Sequence, residues 1–379
     1  LEAKVQFNAR RFGVLVVLAW GSSSVVLGSQ SEFIPLGFLP GGEVSSATAV
    51  SRDGKTVVGL GHEWNGDRTV YRGFRWNEAE GMESLGAFRG SISRSAAWGV
   101  SDTGQWVCGA SAGGLQSATR FSDSLIEGIP KSYGVQTFES LAISGDGQTL
   151  VGYQGISDAL WKAFRWTPQS GTKTLESLDR YPLDMATAVS RDGSVVAGWS
   201  KYTVNLVGYS YAVWWDETGA VHPIASPPGM ELGSRAVDID DDGRQVLCWG
   251  VAVDGTRTVV FMHDRIVGTN RLLPTVAQSW FVPSGMCQRG AIIAGTDWSG
   301  QAGEARLSAF GRASESLHQL LTRTGSTTHS GWRLTEARAV TMADGRVVII
   351  GHGTDPEGRT QAFLARIPLA RLIARTSGP

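Results

Sequence analysis

Short apolar runs, broken by polar turn residues, recur along most of the chain in a fixed phrase. The first copy reads Ala49-Val50-Ser51-Arg52-Asp53-Gly54-Lys55-Thr56-Val57-Val58-Gly59. Copies follow at Val100 to Gly109, Ala142 to Gly152, Ala188 to Gly198, Ile239 to Gly243 and Ala339 to Gly345, with a degraded one at Met286 to Gly295. The turn glycines, Gly54, Gly104, Gly147, Gly193, Gly243, Gly290 and Gly345, stand 43 to 55 residues apart. A second phrase sits about 20 residues after several of these turns: Gly73-Phe74-Arg75-Trp76, Ala163-Phe164-Arg165-Trp166, Ala212-Val213-Trp214-Trp215 and Ala362-Phe363-Leu364. A short run such as Gly81-Met82-Glu83-Ser84-Leu85-Gly86 comes next. Each unit therefore carries four strand-like segments and no helical periodicity, which excludes helical repeats of similar length.

Four antiparallel strands per unit and seven units predict an all-β fold: a seven-bladed β-propeller over residues 32–370. The Ala/Ser-rich run of each unit suits the crowded innermost strand, and the Phe and Trp positions suit packing of blade on blade. Asp-Gly between the first two strands predicts a two-residue hairpin turn. The seventh unit lacks its fourth strand, and Phe33-Ile34-Pro35-Leu36-Gly37 resembles the missing piece. The N-terminal segment is thus expected to pair with the last blade and remove an exposed sheet edge.

Residues 1–31 differ from the rest. Lys4, Arg10 and Arg11 precede the apolar run Phe12 to Trp20, then come Gly21-Ser22-Ser23-Ser24 and Val25-Val26-Leu27-Gly28. That order reads as a cleaved signal peptide. The uncharged span 12–28 also reads as a retained membrane anchor. Both place the propeller outside the cytoplasm, and residues 371–379 remain as a tail.

Composition agrees with many short strands: 49 glycines in 379 residues, with charged residues at 18%. The formal net charge of −1 lacks the basic footprint of a nucleic-acid binder. Cys108, Cys248 and Cys287 lie far apart with no paired spacing, and read as buried small hydrophobes rather than a disulfide or zinc set.

The phrases Ala163-Phe164-Arg165-Trp166, Gly81-Met82 to Gly86 and Ala47 to Gly54 resemble the HAF-type extracellular repeat of bacterial surface and secreted proteins. The resemblance covers about residues 33–369. It implies an extracytoplasmic, propeller-like protein and brings no established catalytic residues.

Candidate chemistry is sparse. Asp238-x-Asp240-x-Asp242-Gly243 has the opening spacing of a calcium loop, but its twelfth position is Trp249 rather than an acidic ligand. An acidic turn is the main reading and a metal site the minor one. Gly109-Ala110-Ser111-Ala112-Gly113 matches a nucleophile elbow by letter only, since no strand-to-helix turn is expected there. No cofactor, catalytic residue or enzymatic activity is expected. The variable connections, between second and third strands and between blades, share one face, and function in repeat proteins concentrates on such loops. Candidate contacts there are His62, Trp64 and Arg68; Trp199, Lys201 and Tyr202; and Asp297 and Trp298. Aromatic residues of that kind stack on sugars, anchor a protein partner, or simply cover blade edges. The expected function is a non-enzymatic binding or scaffold propeller whose partner is a protein or a surface glycan. The alternatives are a membrane-anchored accessory subunit of a larger assembly and, more remotely, a polysaccharide-active propeller enzyme.

Overall fold

The computed structural model describes residues 30–90, 93–113, 116–131, 134–157, 159–178, 181–204, 207–230, 233–274 and 279–374. Residues 1–29 of the expected leader or anchor, 1–31, and the last five residues lie outside them, while Ser31 is buried against the propeller. The described residues form 28 strands in seven four-stranded antiparallel blades. Blades one to six span residues 45–84, 94–128, 137–174, 183–223, 234–272 and 281–316. Blade seven joins residues 333–368 to the N-terminal strand Glu32–Gly37, which pairs antiparallel with Thr360–Pro368 as the outermost strand. The expected closure is therefore present. One parallel bridge, Trp161 to Leu183, also links blades three and four.

Seven hydrophobic clusters hold the ring together, one at each junction between blades. The cluster between blades two and three gathers Cys108, Ala118, Phe138, Leu150, Phe164 and Trp166. The cluster between blades seven and one gathers Phe74, Trp76, Ile350, Ala362 and Leu364. The third-strand Phe and Trp residues thus pack against the neighbouring blade, as their size requires. Burial of the thiols pushes Cys108 up to about 12 and raises Cys248 further, so both behave as small apolar side chains.

The repeated glycine of the second strand has a cause the sequence does not display. In every blade the inner strand carries a β-bulge at the same place, for example between Ala47 and Ala49 and between Ala186 and Ala188. The carbonyl just before the bulge is driven against the second strand. A Cβ on Gly59, Gly152 or Gly198 would lie 2.0–2.1 Å from the carbonyl oxygen of Ser46, Glu139 or Met185, respectively. Glycine is the residue that tolerates such an approach.

The turn between first and second strands differs from the expected two-residue hairpin. Val50 pairs with Val57, so residues 51–56 form the connection. The Ser51 hydroxyl donates to Asp53 at 2.6 Å and accepts from the Thr56 N–H, while Asp53 accepts from the Lys55 N–H. Gly54 takes φ +69°. The same network recurs at Ser144 and Asp146 and at Ser190 and Asp192. Asp and Gly are kept because the Asp side chain folds the loop on itself and Gly supplies the left-handed residue.

Two short helices are additions to the repeat. Helix α1, Leu317–Arg323, follows a fourth strand of only two residues in blade six, and α2, Leu369–Ile373, follows the last strand. His318 lies on α1.

Candidate functional site

The two faces of the ring are built differently. On the face of the Ser-x-Asp-Gly turns, the residue after each serine reaches the axis. The Asp102 N–H donates to Gly145 O, the Gly145 N–H to Arg191 O and the Arg191 N–H to Asp241 O, at 2.8 to 3.2 Å. Two ion pairs cross between non-neighbouring blades: Arg52 with Asp241, and Arg191 with Asp102 at 2.5 Å. Turn backbone and charge draw this end of the channel together.

The Asp238, Asp240 and Asp242 set lies on this side and is not gathered around a common point. Asp238 accepts the N–H groups of Met286 and Ile239, Asp240 accepts that of Gln245, and Asp242 pairs with Arg289 at 2.9 Å. Among the described residues no three His, Cys, Asp or Glu side chains are grouped to hold a metal ion. Asp240 takes the place that serine holds in other turns. Burial, then the charge of Asp242, pushes it up to about 6. Deep placement in the ring, then the charges of Asp240 and Asp241, pushes Asp238 up to about 7 against the pull of its two N–H donors.

On the opposite, open face stand the residues that sequence singles out, but only Arg68 and Trp298 lie in the connections; the others lie on the second strands of their blades, which run further than the sequence suggests. In blade one, His62 lies edge-on to Tyr71 with centroids 4.8 Å apart, Trp64 is exposed, and the Arg68 N–H is held by Asn65. In blade four, Trp199 is half-covered by the Arg235 guanidinium at 5.0 Å, and Lys201 pairs with Leu183. Tyr202 stacks on Tyr209 at 5.1 Å and meets Tyr181 edge-on at 4.8 Å. In blade six, Trp298 is exposed, but Asp297 is buried. Asp297 accepts from the Ser279 hydroxyl and from the Ser299 hydroxyl and N–H, so it folds its own loop rather than presenting a contact. The ring-to-ring contacts of each set stay within its blade or the adjoining connection, whereas the Arg235 guanidinium over Trp199 comes from blade five.

Residues that sequence does not single out complete this face. Tyr153 stacks on Trp161 at 5.0 Å, and Tyr181 and Tyr211 meet at 5.4 Å, so aromatic pairs stand on blades one, three and four. Several carboxylates near it are already engaged. Asp184 is fully buried and accepts from Ser177, Ser200 and Lys162. Ser46, His352 and Glu336 form the arrangement nearest to a hydrolytic triad. The Ser46 hydroxyl lies 3.0 Å from His352 Nδ1, but Glu336 is 3.8 Å from Nε2 and is held by Arg338 at 2.7 Å. Glu336 therefore does not orient the imidazole by a hydrogen bond, as a triad acid does. Ser111, the letter-match to a nucleophile elbow, sits inside a strand and accepts the Phe88 N–H.

No family model and no curated protein matches the sequence. Solved structures do match in shape. The β-propeller domain of the Trilobed protease from Pyrococcus furiosus superposes with a TM-score of 0.57 at 8% identity, over 85% of this chain and 94% of that one. An oligogalacturonate lyase in complex with manganese gives 0.56 at 12%, over 91% and 100%. The oligogalacturonate lyase from Vibrio parahaemolyticus gives 0.55 at 11%, over 90% and 100%. The chain is a velcro-closed β-propeller. At these identities the likeness is one of fold, and propellers host binding modules and enzymes alike.

Proposed function

We propose that this protein is an extracytoplasmic, non-enzymatic binding or scaffold propeller that engages its partner through the open face. The observation that carries the reading is the asymmetry of the two faces. One end of the channel is drawn together by turn backbone and crossing ion pairs, whereas the other presents exposed Trp64, Tyr71 and Trp298 beside the Tyr202 cluster. Exposed aromatic residues on a rigid frame are the usual anchors of a protein or glycan contact. The resemblance to extracellular repeat proteins supports the location outside the cytoplasm. Membrane attachment through residues 12–28 is a separate part of the proposal, checked by the intact mass of the protein recovered from membrane and soluble fractions.

The test uses binding of the labelled protein to cell-envelope preparations. Trp64→Ala, Tyr202→Ala and Trp298→Ala together are expected to lower binding at least tenfold, while Lys55→Ala and Arg289→Ala on the turn face leave it unchanged. Equal loss from both faces would overturn the assignment. The Ser46–His352 contact favours a second reading, a hydrolase. A fluorophosphonate probe that labels the parent but not Ser46→Ala would establish it, and absence of labelling is expected.

A further inference from the structure

Blade two departs from its neighbours at one column of the repeat. Just before the bulge, each inner strand pairs with the second-strand residue that follows the glycine position. Six blades place at least one larger side chain in that pair: Ser46–Leu60, Glu139–Tyr153, Met185–Trp199, Arg235–Trp249, Val282–Thr296 and Glu336–His352. In blade two the pair is Ala96–Ala110. Two methyl groups stand in the column, and the space is not refilled. A cavity of about 220 Å³ opens at the open-face end of the blade, with Tyr71 and Trp98 among its walls, the two alanines in its lining and Gln116 and Glu139 at its polar side.

The polar groups of the cavity are only partly spent. Trp98 is the bulge residue of blade two. At that position in blades one, four and six, Thr48, Thr187 and Ser284 donate to a carbonyl of the next blade. The Trp98 indole N–H lies near Glu139, sealed from the cavity and without an acceptor in hydrogen-bond geometry, and burial of Glu139 pushes its carboxyl up. Glu139 accepts from Gln116, lies near the Tyr153 hydroxyl, and keeps lone pairs to spare. Arg94 reaches Gln116 only at 3.4 Å.

We propose that this cavity binds one neutral pyranose ring, the exposed unit of an extracellular glycan. The inference deepens the reading of the open face as a binding surface and rests on it. Volume sets the size of the ligand: drug-sized pockets run to about 300–1,000 Å³, so this one holds a single ring. Chemistry sets its class. A sugar hydroxyl both accepts and donates, so one hydroxyl can accept from the Gln116 amide or from Arg94 while its neighbour donates to Glu139. The C–H face of the ring then covers the alanines and packs on the aromatic walls. A wholly apolar ligand would leave the spare lone pairs of the Glu139 carboxyl unsatisfied. An anionic ligand would face Glu139, and a cationic one would face Arg94.

The test is saturation-transfer NMR on the full chain with glucose, galactose, mannose, xylose and N-acetylglucosamine, each added separately. The parent is expected to transfer saturation to at least one. Ala110→Trp is expected to abolish transfer without lowering the melting temperature, because blades four and five already hold Trp199 and Trp249 in this column. Glu139→Gln keeps the shape, removes the charged acceptor, and is expected to weaken binding about tenfold, which also serves should Ala110→Trp fold poorly. Transfer to none of the five sugars, or transfer that survives both variants in folded protein, overturns the proposal. A parent that binds envelopes through the open face yet takes none of the sugars removes the sugar assignment alone. A parent that takes a sugar here while envelope binding ignores the open face removes the broader reading alone.

Discussion

At the scale of the residue, the repeat is a record of backbone geometry. Serine, aspartate and glycine recur because they fold a six-residue connection, and the second-strand glycine recurs because a bulged carbonyl occupies the place of its Cβ. Gly198→Ala is expected to cost about 1–3 kcal/mol, the range for forcing extra atoms into a packed site. A thermal melt checks it, and an unchanged melting temperature would contradict the close approach to Met185 O. Asp238 offers a test of charge. Its carboxyl is raised in the folded protein, so the stability it contributes is full below the ordinary carboxylate range near pH 4 and is lost as pH rises through about 7. Asp240, Asp241 and Cys287 are the titratable groups around it, and Asp240 moves in the same direction. Asp238→Asn should therefore melt with the parent near pH 4.5 and above it near pH 8. Parallel behaviour at both values would show that Asp238 is well solvated.

At the scale of the element, seven copies of a four-segment phrase made the blades, their number and the closing strand legible from the chain. The bulge was not legible, because it leaves no mark except the glycine that accommodates it. Helix α1 was also hidden, since Leu317, Leu320 and Leu321 are few and fall in a degraded unit. Its role is visible only in space. The segment after α1 grips the closing strand: Ser31 donates to the Thr324 hydroxyl at 2.6 Å, Thr328 donates to Phe33 O at 3.0 Å, and Trp332 packs edge-on to Phe33 at 5.0 Å. Arg346 and Arg366 hold Glu32 at the start of the same strand. Phe33 is buried against Trp332 and Phe363, so Phe33→Ala is expected to cost about 3–5 kcal/mol. Denaturant unfolding measures this, and a cost under about 1 kcal/mol would mean that the ring closes without its velcro.

At the scale of the molecule, the site was less legible than the fold because it depends on what a blade omits. His62 and Tyr202 stand out as chemistry-bearing letters near the ends of second strands, whereas Ala96 and Ala110 become informative only when the blades are aligned in three dimensions. The closed and open faces have the same character: each is a property of seven turns or seven loops together. Whether the closed face is held by charge or by backbone can be decided. The Arg52–Asp241 pair is 45% and 63% exposed, a setting in which an ion pair contributes about 0–1 kcal/mol. The chain of N–H to carbonyl bonds from Asp102 through Gly145 and Arg191 to Asp241 needs no side chain. Arg52→Ala with Arg191→Ala should therefore shift the melting temperature by only about 2–4 °C, and amides 102, 145 and 191 should keep slow hydrogen exchange. Envelope binding should be untouched, because the partner meets the other face. Fast exchange at those amides would mean that the two arginines hold the channel end shut, and that the turn face becomes a second entrance once they are removed.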